Sequence, residues 1–581
     1  MRNRCFDVLK AIAIIAVVLY HMGICEFGYL GVDIFLVIAG YFTSKSVEKQ
    51  IINRGGYFSF VLNRAFRLWP LLLLIGVICL TFGWFMMLPD DFENTAQSVI
   101  ATNFFGNNIL ESITTKNYWD VGNEYKPLMH TWYVGLLMQY YVLISLLLFI
   151  VGKLISETNK RRKINVILAS FLGLLSLFLY IISDDACAKF YYLPYRLYEF
   201  CAGALVYYLF AHKNIDIQNS VAKTAISVIY VCIITLLFVE LDFISRPIKL
   251  IAVVGLTALL IDLMSRVKIE QNNIFSNKQI ALIGAASYSI FVWHQVIFAF
   301  TRYSFTNNLT EAIPFLSVIV LTAVLSVFSY KYIERIKERK MIWGVMCVTA
   351  LLTTSLSLYI YSIAGVVRDV PELDVVKGNV HRGMWAEYCD RGYKYDKDFT
   401  ESSKPKWYVI GNSFGRDMVN IILESPIADK VDVVYSTPKN YQNTEKRFAN
   451  ADVVFLSTLG LNKEIIDDVH RRCSANTKFF IIGEKNFGES NGQVYRHRYS
   501  ADYHQLTIGM EDGYAEKNEQ LKKAYPNCYI DLIEMVRQPN GKVRVFSDDG
   551  KFISQDCRHL TKAGAMYYAK MIDWEKFLMS N

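Results

Sequence analysis

The segment "KWYVIGNSFGRD", Lys406 to Asp417, decides the fold of the carboxyl-terminal part of the chain. A short apolar run, typical of a buried strand, ends in a Gly-Asn turn, and the residues after the turn have the pattern of a helix. Ser413 stands at this turn, directly before the predicted helix. A serine in that place is either the N-cap of the helix or a nucleophile presented at the end of a strand.

Apolar runs and amphipathic stretches continue to alternate after this segment. The predicted strands are "VDVVYS", "ADVVFLST", "KFFIIGEKN" and "CYIDLIEMV". The predicted helices are "KEIIDDVHRRC", "KNEQLKKAY" and a last one that starts near Leu560. This alternation predicts a parallel sheet covered on both faces, in a three-layer α/β domain of flavodoxin-like type. Because active sites of such sheets lie beyond the carboxyl ends of the strands, Ser413 occupies the expected position for one.

A second candidate group stands near the end of the chain, in "SQDCRHLTKAGA". Asp556 and His559 are three residues apart, so one turn can direct both side chains toward a shared site. If the last helix packs beside the first strand, Ser413, His559 and Asp556 form a nucleophile, its base and an orienting acid. The alternative for Asp556 is that it caps the last helix.

The chain before about Arg368 has a different composition. Of the 581 residues, 53% are hydrophobic, and the long apolar runs lie in the first two thirds. Segments of about 17–25 apolar residues can cross a bilayer as helices. Eleven are predicted, near 7–23, 29–46, 68–88, 131–152, 164–183, 191–211, 221–239, 246–265, 279–300, 312–332 and 341–365. The predicted organisation is a multi-pass helical bundle at 1–340, an eleventh span at 341–365, a linker at 366–404 and the α/β domain at 405–581.

The basic residues indicate an orientation for these spans. The formal net charge of +8 does not indicate nucleic-acid binding, because Lys and Arg cluster between apolar segments. Three loops that carry five Lys or Arg each are expected in the cytoplasm, together with the amino terminus. Eleven spans then place the α/β domain outside the cytoplasm.

Several polar residues lie within or beside the predicted spans, where ionisable groups are costly and often functional. His21, His130 and His294 are expected at similar depth in the outer half of the membrane and can share one cavity. For His130 and His294 a purely structural role fits equally well. Arg64 and Arg67 lie one turn apart, a pattern that suits either a phosphate-bearing ligand or lipid headgroups. The other candidates are Lys10, Asp33, Trp132, Arg196, Glu199 and Glu334.

The motifs around these residues resemble those of the acyltransferase-3 family of integral membrane acyltransferases, over about residues 5–340. The motifs are, in chain order, "FDVLKAIAIIAVVLYH", "GYLGVDIFLVIAGYF", "NRAFRLWP", "PLMHTW", "YRLYEFCAGAL", "ASYSIFVWHQ" and "YKYIER". The resemblance implies transfer of an acyl group, often acetyl from cytoplasmic acyl-CoA, to glycans and other acceptors. It implies His21 as an essential histidine, with Asp33 on the next span, and Arg64 and Arg67 as residues that meet the acyl donor.

The chain departs from that family's pattern at a few positions. Lys10 replaces the usual arginine of the donor-binding group and keeps the charge without the bidentate fork. Ala39 replaces a usual serine, and Leu137 and Met138 replace two usual acids. The family role of those two acids therefore does not carry over to Leu137 and Met138.

The carboxyl-terminal part is similar to SGNH (GDSL-like) esterases over about residues 405–580. In that superfamily "G-N-S" holds the serine, and "D-x-x-H" holds the acid and the base, which implies Ser413, Asp556 and His559. An oxyanion hole is also expected, since developing negative charge requires preorganised donors. Asn486 is the preferred side chain for it and Asn462 the alternative, with the Ser413 N–H as a further donor.

Together these patterns predict a bacterial inner (plasma) membrane O-acyltransferase that moves an acyl group from acyl-CoA to an exported envelope glycan. The family resemblance implies acetyl as the transferred group. The acceptor classes are O-antigen, another polysaccharide and peptidoglycan. The alternatives are a membrane-tethered carbohydrate esterase and a non-enzymatic glycan transporter or sensor. The predicted partners are acyl-CoA as donor substrate, the glycan and the bilayer, without a bound cofactor or metal. One or two disulfides and four free thiols are equally compatible with the cysteines of the α/β part, Cys389, Cys473, Cys528 and Cys557.

Overall fold

The computed structural model describes residues 4–53, 55–114, 122–211, 219–266, 277–305, 309–336, 339–378 and 384–578. The chain divides into two compact units. The first unit comprises Met1–Met87 and Asp91–Tyr361, and the second comprises Leu88–Asp90 and Ser362–Asn581. The first unit is helical and the second is α/β, which confirms the predicted fold class.

The described residues of the helical part form fifteen helices. In chain order the helices are α1 (Arg4–His21), α2 (Gly31–Ile52), α3 (Tyr57–Met86), α4 (Pro89–Asn103), α5 (Asn107–Thr114), α6 (Trp132–Leu154), α7 (Thr158–Ile182), α8 (Ala186–Tyr191), α9 (Leu193–Phe210), α10 (Asn219–Phe238), α11 (Arg246–Arg266), α12 (Lys278–Ala285), α13 (Ser287–Ser304), α14 (Ala312–Tyr332) and α15 (Arg339–Ser362).

Among the described residues, eight helices are long and apolar enough to cross a membrane, or nine if α12 and α13 count as one span bent by 63°. All eleven predicted spans fall on helices. The two outside this count are α1 and α9, because charged residues interrupt their apolar sequences: Arg4, Asp7 and Lys10 in α1, and Arg196 and Glu199 in α9. Most of α1 and α9 is buried among other helices, where polar groups find partners that lipid cannot supply.

Other helices expose a continuous apolar face. On α7 the exposed residues Ile167, Phe171, Leu174, Phe178 and Ile181 recur every three or four positions and so lie on one side of the helix. An apolar face of this length is unfavourable in water and favourable in a bilayer. The first unit is therefore a membrane-spanning bundle.

The second unit is built on a parallel sheet of five strands in the order β2-β1-β3-β4-β6. A separate antiparallel pair is formed by β5 and β7. The strands are β1 (Lys406–Ile410), β2 (Asp432–Ser436), β3 (Val453–Leu456), β4 (Lys478–Ile482), β5 (Thr507–Ile508), β6 (Tyr529–Ile530) and β7 (Val543–Arg544). The helices of this unit are α16 (Met384–Asp390), α17 (Ser413–Leu423), α18 (Glu445–Asn450), α19 (Lys463–Arg472), α20 (Gly492–Tyr495), α21 (Tyr514–Ala524), α22 (Lys562–Met571) and α23 (Glu575–Leu578).

Strand β1 shows why the sheet is covered on both faces. Trp407 and Val409 pack into one hydrophobic core, and Tyr408 and Ile410 pack into the other. Successive side chains of a strand point to opposite faces, so an uninterrupted apolar run requires apolar layers on both sides.

Two details of the second unit differ from the sequence-based picture. The predicted strand "CYIDLIEMV" contributes only Tyr529–Ile530 to the sheet. The segment 366–404, predicted as a linker, is part of the second unit: Arg391 Nη2 lies 2.6 Å from Glu424 Oε1 at the end of α17. The cysteines of this unit are free thiols rather than disulfides: Cys389, Cys473, Cys528 and Cys557.

Candidate active site

The turn between β1 and α17 determines where Ser413 lies. A Cβ on Gly411 would lie 1.7 Å from the carbonyl oxygen of Ser457, so only glycine permits this close approach of the backbone. Asn412 is the N-cap of α17, and its Oδ1 accepts a hydrogen bond of 3.0 Å from the N–H of Phe414. Ser413 is therefore the first residue of the helix rather than its cap, and its hydroxyl is free for another partner.

That partner is a histidine. His559 Nε2 lies 2.9 Å from Ser413 Oγ, and His559 Nδ1 lies 2.6 Å from Asp556 Oδ2. His559 is fully buried and Ser413 is 6% exposed. Since a carboxylate only accepts, Nδ1 carries a proton, and the Nε2 of the neutral ring accepts from the serine hydroxyl. The structure thus brings together the three residues in the geometry of a nucleophile, a base and an orienting acid.

A short irregular segment holds the acid and the base. Cys557 has a φ of 69°, in the left-handed region that a non-glycine residue rarely adopts. Asp556 Oδ1 accepts hydrogen bonds from the backbone N–H groups of Arg558, at 3.1 Å, and His559, at 2.7 Å. Thr561 caps α22, so Asp556 does not have the capping role that was its alternative.

The environment of Asp556 favours its ionised form. Burial raises the pKa of this carboxyl group, but the neighbouring His559 and the hydrogen bonds from His559 and Arg558 lower it more, so its pKa lies below the ordinary value. The carboxylate is therefore ionised at neutral pH and able to stabilise an imidazolium.

Replacing Asp556 with asparagine is expected to reduce the stability of the second unit by about 1.5–3 kcal/mol at neutral pH, the usual contribution of a hydrogen bond to a charged group. Because the folded-state pKa is below the unfolded value of about 3.9, this contribution is complete above about pH 4 and is lost as the pH falls through the folded-state pKa. Scanning calorimetry of the full-length protein and the variant should show a difference in unfolding temperature that closes below about pH 4. A difference that stays constant down to pH 3, or an equal one in the exposed control Asp548→Asn, would contradict this.

The two asparagines considered for an oxyanion hole make other contacts. Asn486 Oδ1 accepts from the N–H groups of Gly488 and Glu511, both at 2.9 Å, and so shapes the loop after β4. Asn462 is the N-cap of α19 and accepts from the N–H of Ile465 at 3.0 Å. The oxyanion role of Asn486 stays a prediction. The N–H of Ser413, in the first turn of α17, belongs to the backbone donors that lack an intrahelical partner.

In the first unit, three histidines from distant segments of the chain meet. The ring centroid of His294 lies 5.2 Å from that of His21 and 5.5 Å from that of His130. Arg302, two turns after His294 on α13, donates a hydrogen bond of 3.0 Å to the carbonyl of His21. The structure therefore brings these three predicted histidines into one cluster at the end of α1.

The protonation pattern of His294 follows from its contacts. Its Nδ1 lies 2.7 Å from the carbonyl oxygen of Phe291, which can only accept, so Nδ1 carries the proton. Within the described part of the chain, His294 Nε2 and both ring nitrogens of His130 are buried without a hydrogen-bond partner. Buried polar atoms are rarely left unpaired, and such atoms often mark a functional position. No group of three or more His, Cys, Asp or Glu side chains in that part of the chain has the arrangement of a metal site.

The remaining candidates of the first unit lie in separate places. Asp33 is ion-paired with Arg196, whose Nε lies 3.0 Å from Glu199 Oε1, and all three side chains are buried. Trp132 packs on Phe190. Ser289 donates a 2.5 Å hydrogen bond to Glu334.

Arg64 lines a cavity of about 350 Å³. Its guanidinium donates to Ser46 Oγ at 2.9 Å and lies 5.1 Å from the ring centroids of Phe60 and Tyr141. The cavity is lined by Ser46, Lys49, Gln50, Asn53, Phe60, Asn63 and Arg64. Neither of the other predicted donor-binding residues belongs to this lining: Arg67 is exposed on the same helix, and Lys10 lies 3.5 Å from Asp7 within α1.

Sequence reasoning did not select two residues beside Ser413. Asp417 and Lys485 form a fully buried ion pair with Nζ 2.7 Å from Oδ2. Asp417 follows Ser413 by one helical turn and so lies on its side of α17, a signal that was available in the sequence. The lysine could not be recognised in the same way, because a fold is required to bring the loop after β4 to this helix.

Comparison with known proteins places the first unit in a family. The sequence model of the acyltransferase-3 family, whose description is "Acyltransferase domain", matches residues 3–331. The relatives include O-acetyltransferase OatA of Staphylococcus aureus strain NCTC 8325, 24% identical over 350 residues that cover 56% of each chain. A candidate membrane-bound transacylase by name, BcsY of Komagataeibacter xylinus, is 26% identical over 58% of this chain and 82% of its own.

The match is limited in extent. Several further Staphylococcus aureus proteins, named as candidate O-acetyltransferases, are 27% identical over 348 residues. The matched part spans 56% of the length of these relatives. No solved structure matches the chain. Since the family model covers more than half of the sequence, the chain belongs to the acyltransferase-3 family of acyltransferase domains.

Proposed function

We propose that this chain is a membrane O-acyltransferase that moves an acyl group from cytoplasmic acyl-CoA to a hydroxyl of an exported cell-envelope glycan. The acyl group proposed is acetyl. The observation that carries the proposal is that one chain combines an acyltransferase-3 bundle with an α/β unit in which Ser413, His559 and Asp556 are hydrogen-bonded in series. The names of relatives such as the O-acetyltransferase of Staphylococcus aureus support acetyl as the transferred group.

The orientation in the membrane is part of the proposal. The loops with five Lys or Arg each support a cytoplasmic amino terminus and an extracytoplasmic second unit in a bacterial plasma membrane. Acyl-CoA is charged and stays in the cytoplasm, whereas the acceptor is exported. A membrane unit that accepts the donor on one side and a soluble unit that faces the acceptor on the other would serve such a reaction.

The cavity beside Arg64 suits the donor. It presents two cations, Lys49 and Arg64, together with amide side chains, and phosphate groups bind guanidinium and ammonium groups through charge-assisted hydrogen bonds. We infer that this cavity holds the phosphate-bearing part of acyl-CoA. Arg67 and Lys10 stay candidates for the same task.

Arg64→Gln is expected to raise the KM for acetyl-CoA about 10- to 100-fold, the effect of one lost charged hydrogen bond, with a smaller change in kcat. Initial rates of acetyl transfer in inverted membrane vesicles would measure both constants. Lys163→Gln on α7 removes an exposed cation and serves as the control. An unchanged KM, or an equal rise in the control, would exclude the cavity as the donor site.

The second unit would carry the acyl group in two steps. In the first, Ser413 Oγ attacks the carbonyl carbon of the acyl group that the membrane unit delivers, while His559 Nε2 takes the hydroxyl proton. The bond between the acyl carbon and its carrier breaks, and His559 gives the proton to the departing carrier. In the second, a sugar hydroxyl gives its proton to His559 and its oxygen attacks the acyl carbon of the acyl-serine ester. The bond from that carbon to Ser413 Oγ breaks, and His559 returns the proton to Oγ. The N–H of Ser413 at the helix start is a donor for the oxyanion of both steps.

The histidine cluster would act in the membrane unit, before the acyl group reaches Ser413. His21 is the residue that the family motif implies, and His294 presents an unprotonated Nε2 to the cluster. A neutral imidazole fixed in one tautomer can accept a proton from a neighbouring group in a site without water. Asp33, Arg196 and Glu199 form a separate charged group, and we propose that they organise α2 and α9 around this site.

The test uses inverted vesicles from cells that produce the protein and labelled acetyl-CoA. Label in the glycan fraction that depends on the protein supports the proposal. Hydrolysis of glycan acetyl esters without transfer of label would instead support the membrane-tethered esterase. If neither transfer nor hydrolysis is found, the glycan transporter or sensor remains as the alternative.

A further inference from the structure

A buried ion pair lies beside Ser413 and takes no part in the proposed chemistry. Lys485 Nζ lies 2.7 Å from Asp417 Oδ2, and each side chain is 1% exposed. A buried pair of this kind is weak evidence for stability, because removing two charges from water offsets most of their attraction. Its position next to the nucleophile therefore needs an explanation of its own.

The carboxylate of Asp417 connects two elements of the candidate site. Its Oδ2 also accepts a 3.1 Å hydrogen bond from the N–H of Leu560, the residue after His559. Asp417 belongs to α17, which begins with Ser413, whereas His559 belongs to a separate segment far along the chain. One oxygen atom thus joins the helix of the nucleophile to the segment of the base.

The ammonium group of Lys485 makes a second connection. Its Nζ lies 3.8 Å from the ring centroid of Phe414, the residue after Ser413, which is a close cation–π contact. The Phe414 ring in turn lies 5.9 Å from the His559 ring in an edge-to-face arrangement. The lysine therefore supports a ring that is adjacent to the nucleophile in sequence and to the base in space.

The loop that carries Lys485 is tied to the same segment. The N–H of Phe487 donates to the carbonyl of Cys557 at 2.8 Å. The side-chain amide of Asn491 donates to the carbonyls of Ser554 and Gln555, at 2.8 and 2.9 Å. The loop after β4 thus contacts its neighbours through three residues. Phe487 and Asn491 bond to the segment that carries His559, and Lys485 pairs with Asp417 on α17.

We propose that Lys485 and Asp417 are positioning residues that keep the Ser413 hydroxyl and the His559 imidazole at hydrogen-bonding distance. The inference rests on the proposed role of Ser413 as the nucleophile. The two reacting groups are 2.9 Å apart and come from different elements, so their separation depends on what joins those elements. A displacement of about 1 Å between reacting groups can reduce a rate about 100-fold.

The test measures the reactivity of Ser413 directly in the purified full-length protein, with an alkyl fluorophosphonate as the probe. Ser413 Oγ forms a bond to phosphorus, fluoride leaves, and His559 accepts the hydroxyl proton. The variants are Lys485→Met, Asp417→Asn and the double variant. Each is expected to lower the maximal labelling rate about 10- to 100-fold, with little change in the reagent concentration at half-maximal rate, at a temperature where all proteins are folded.

The double variant separates positioning from stability. It leaves no unpaired buried charge, so it should recover much of the unfolding temperature lost in either single variant. A pair that only stabilises the fold would then also recover the labelling rate, and that result would overturn the inference. Arg391→Met breaks the Arg391–Glu424 pair at the far end of α17 and is the matched control. It should lower the unfolding temperature without changing the labelling rate.

The outcome for the wild-type protein distinguishes this inference from the proposed function. A wild-type chain that is not labelled at Ser413 would remove the nucleophile, and with it both proposals. A wild-type chain that is labelled, with variants that react equally fast while folded, would overturn the positioning role alone. Slow labelling in both single variants and in the double variant supports it.

Discussion

Ser413→Ala is expected to reduce transfer of acetyl groups to the glycan at least about 1000-fold, as loss of a nucleophile does in other enzymes of this type. The alanine variant keeps the fold, because the N-cap of α17 is Asn412 and the serine hydroxyl bonds only the histidine of the site among the described contacts. The measurement is the amount of label in the glycan after incubation of inverted vesicles with labelled acetyl-CoA. Residual transfer above a few per cent would exclude an acyl-serine intermediate.

A matched serine is available as the control for this experiment. Ser425 lies just beyond the other end of α17, and its buried hydroxyl donates to the carbonyl of Ile422 at 2.6 Å. Ser425→Ala should lower stability slightly and leave transfer unchanged. Loss of transfer in both variants would indicate a folding defect. If Ser413→Ala instead raised the acetate content of the glycan, the second unit would be removing acetyl groups, as the esterase alternative predicts.

Much of the α/β fold could be predicted, because its signal is local. Four apolar runs that are buried on both faces read directly as strands of a parallel sheet. The fifth run shows the limit of this reasoning. It is apolar enough for a long strand, but Asp531 Oδ1 accepts a 3.0 Å hydrogen bond from the N–H of Glu534 and turns the chain after Ile530. Such local side-chain bonds compete with the sheet and are not visible in hydrophobicity.

The part of the candidate site that the sequence predicted is the part that depends on few contacts between distant segments. Ser413 follows a strand directly, and Asp556 and His559 share one turn, so only the packing of one segment had to be inferred. Asp417 pairs with Lys485 and Asp33 pairs with Arg196. Each partner lies on a distant element, so no local sequence pattern indicates the pairing. Asn486 was selected by resemblance; its amide oxygen accepts a hydrogen bond within the loop after β4, and its oxyanion role stays a prediction.

His21→Ala is expected to lower glycan acetylation about 100- to 10,000-fold, the range for loss of a general acid or base, while Ser413 keeps its wild-type rate of labelling by a fluorophosphonate. The reason for this combination is that the chain has two units, with the histidine cluster in the first and the serine in the second. The measurements are labelled acetate in the glycan and fluorophosphonate labelling, made on the same membranes. His294→Gln should show a smaller loss of acetylation, because it removes an acceptor of the cluster but leaves His21 in place.

A neighbouring substitution controls for damage to the end of α1. Tyr20→Phe keeps the ring that packs 5.1 Å from the His21 ring and removes only a hydroxyl group, so acetylation should stay near the wild-type level. One result would contradict the proposed role of the histidine cluster, and two others would show that the variant is damaged. Normal acetylation in His21→Ala would leave the second unit as a tethered esterase or an independent transferase. Loss of fluorophosphonate labelling in His21→Ala would show that the substitution disturbs the second unit, and equal losses in His21→Ala and Tyr20→Phe would indicate that α1 itself had been disrupted.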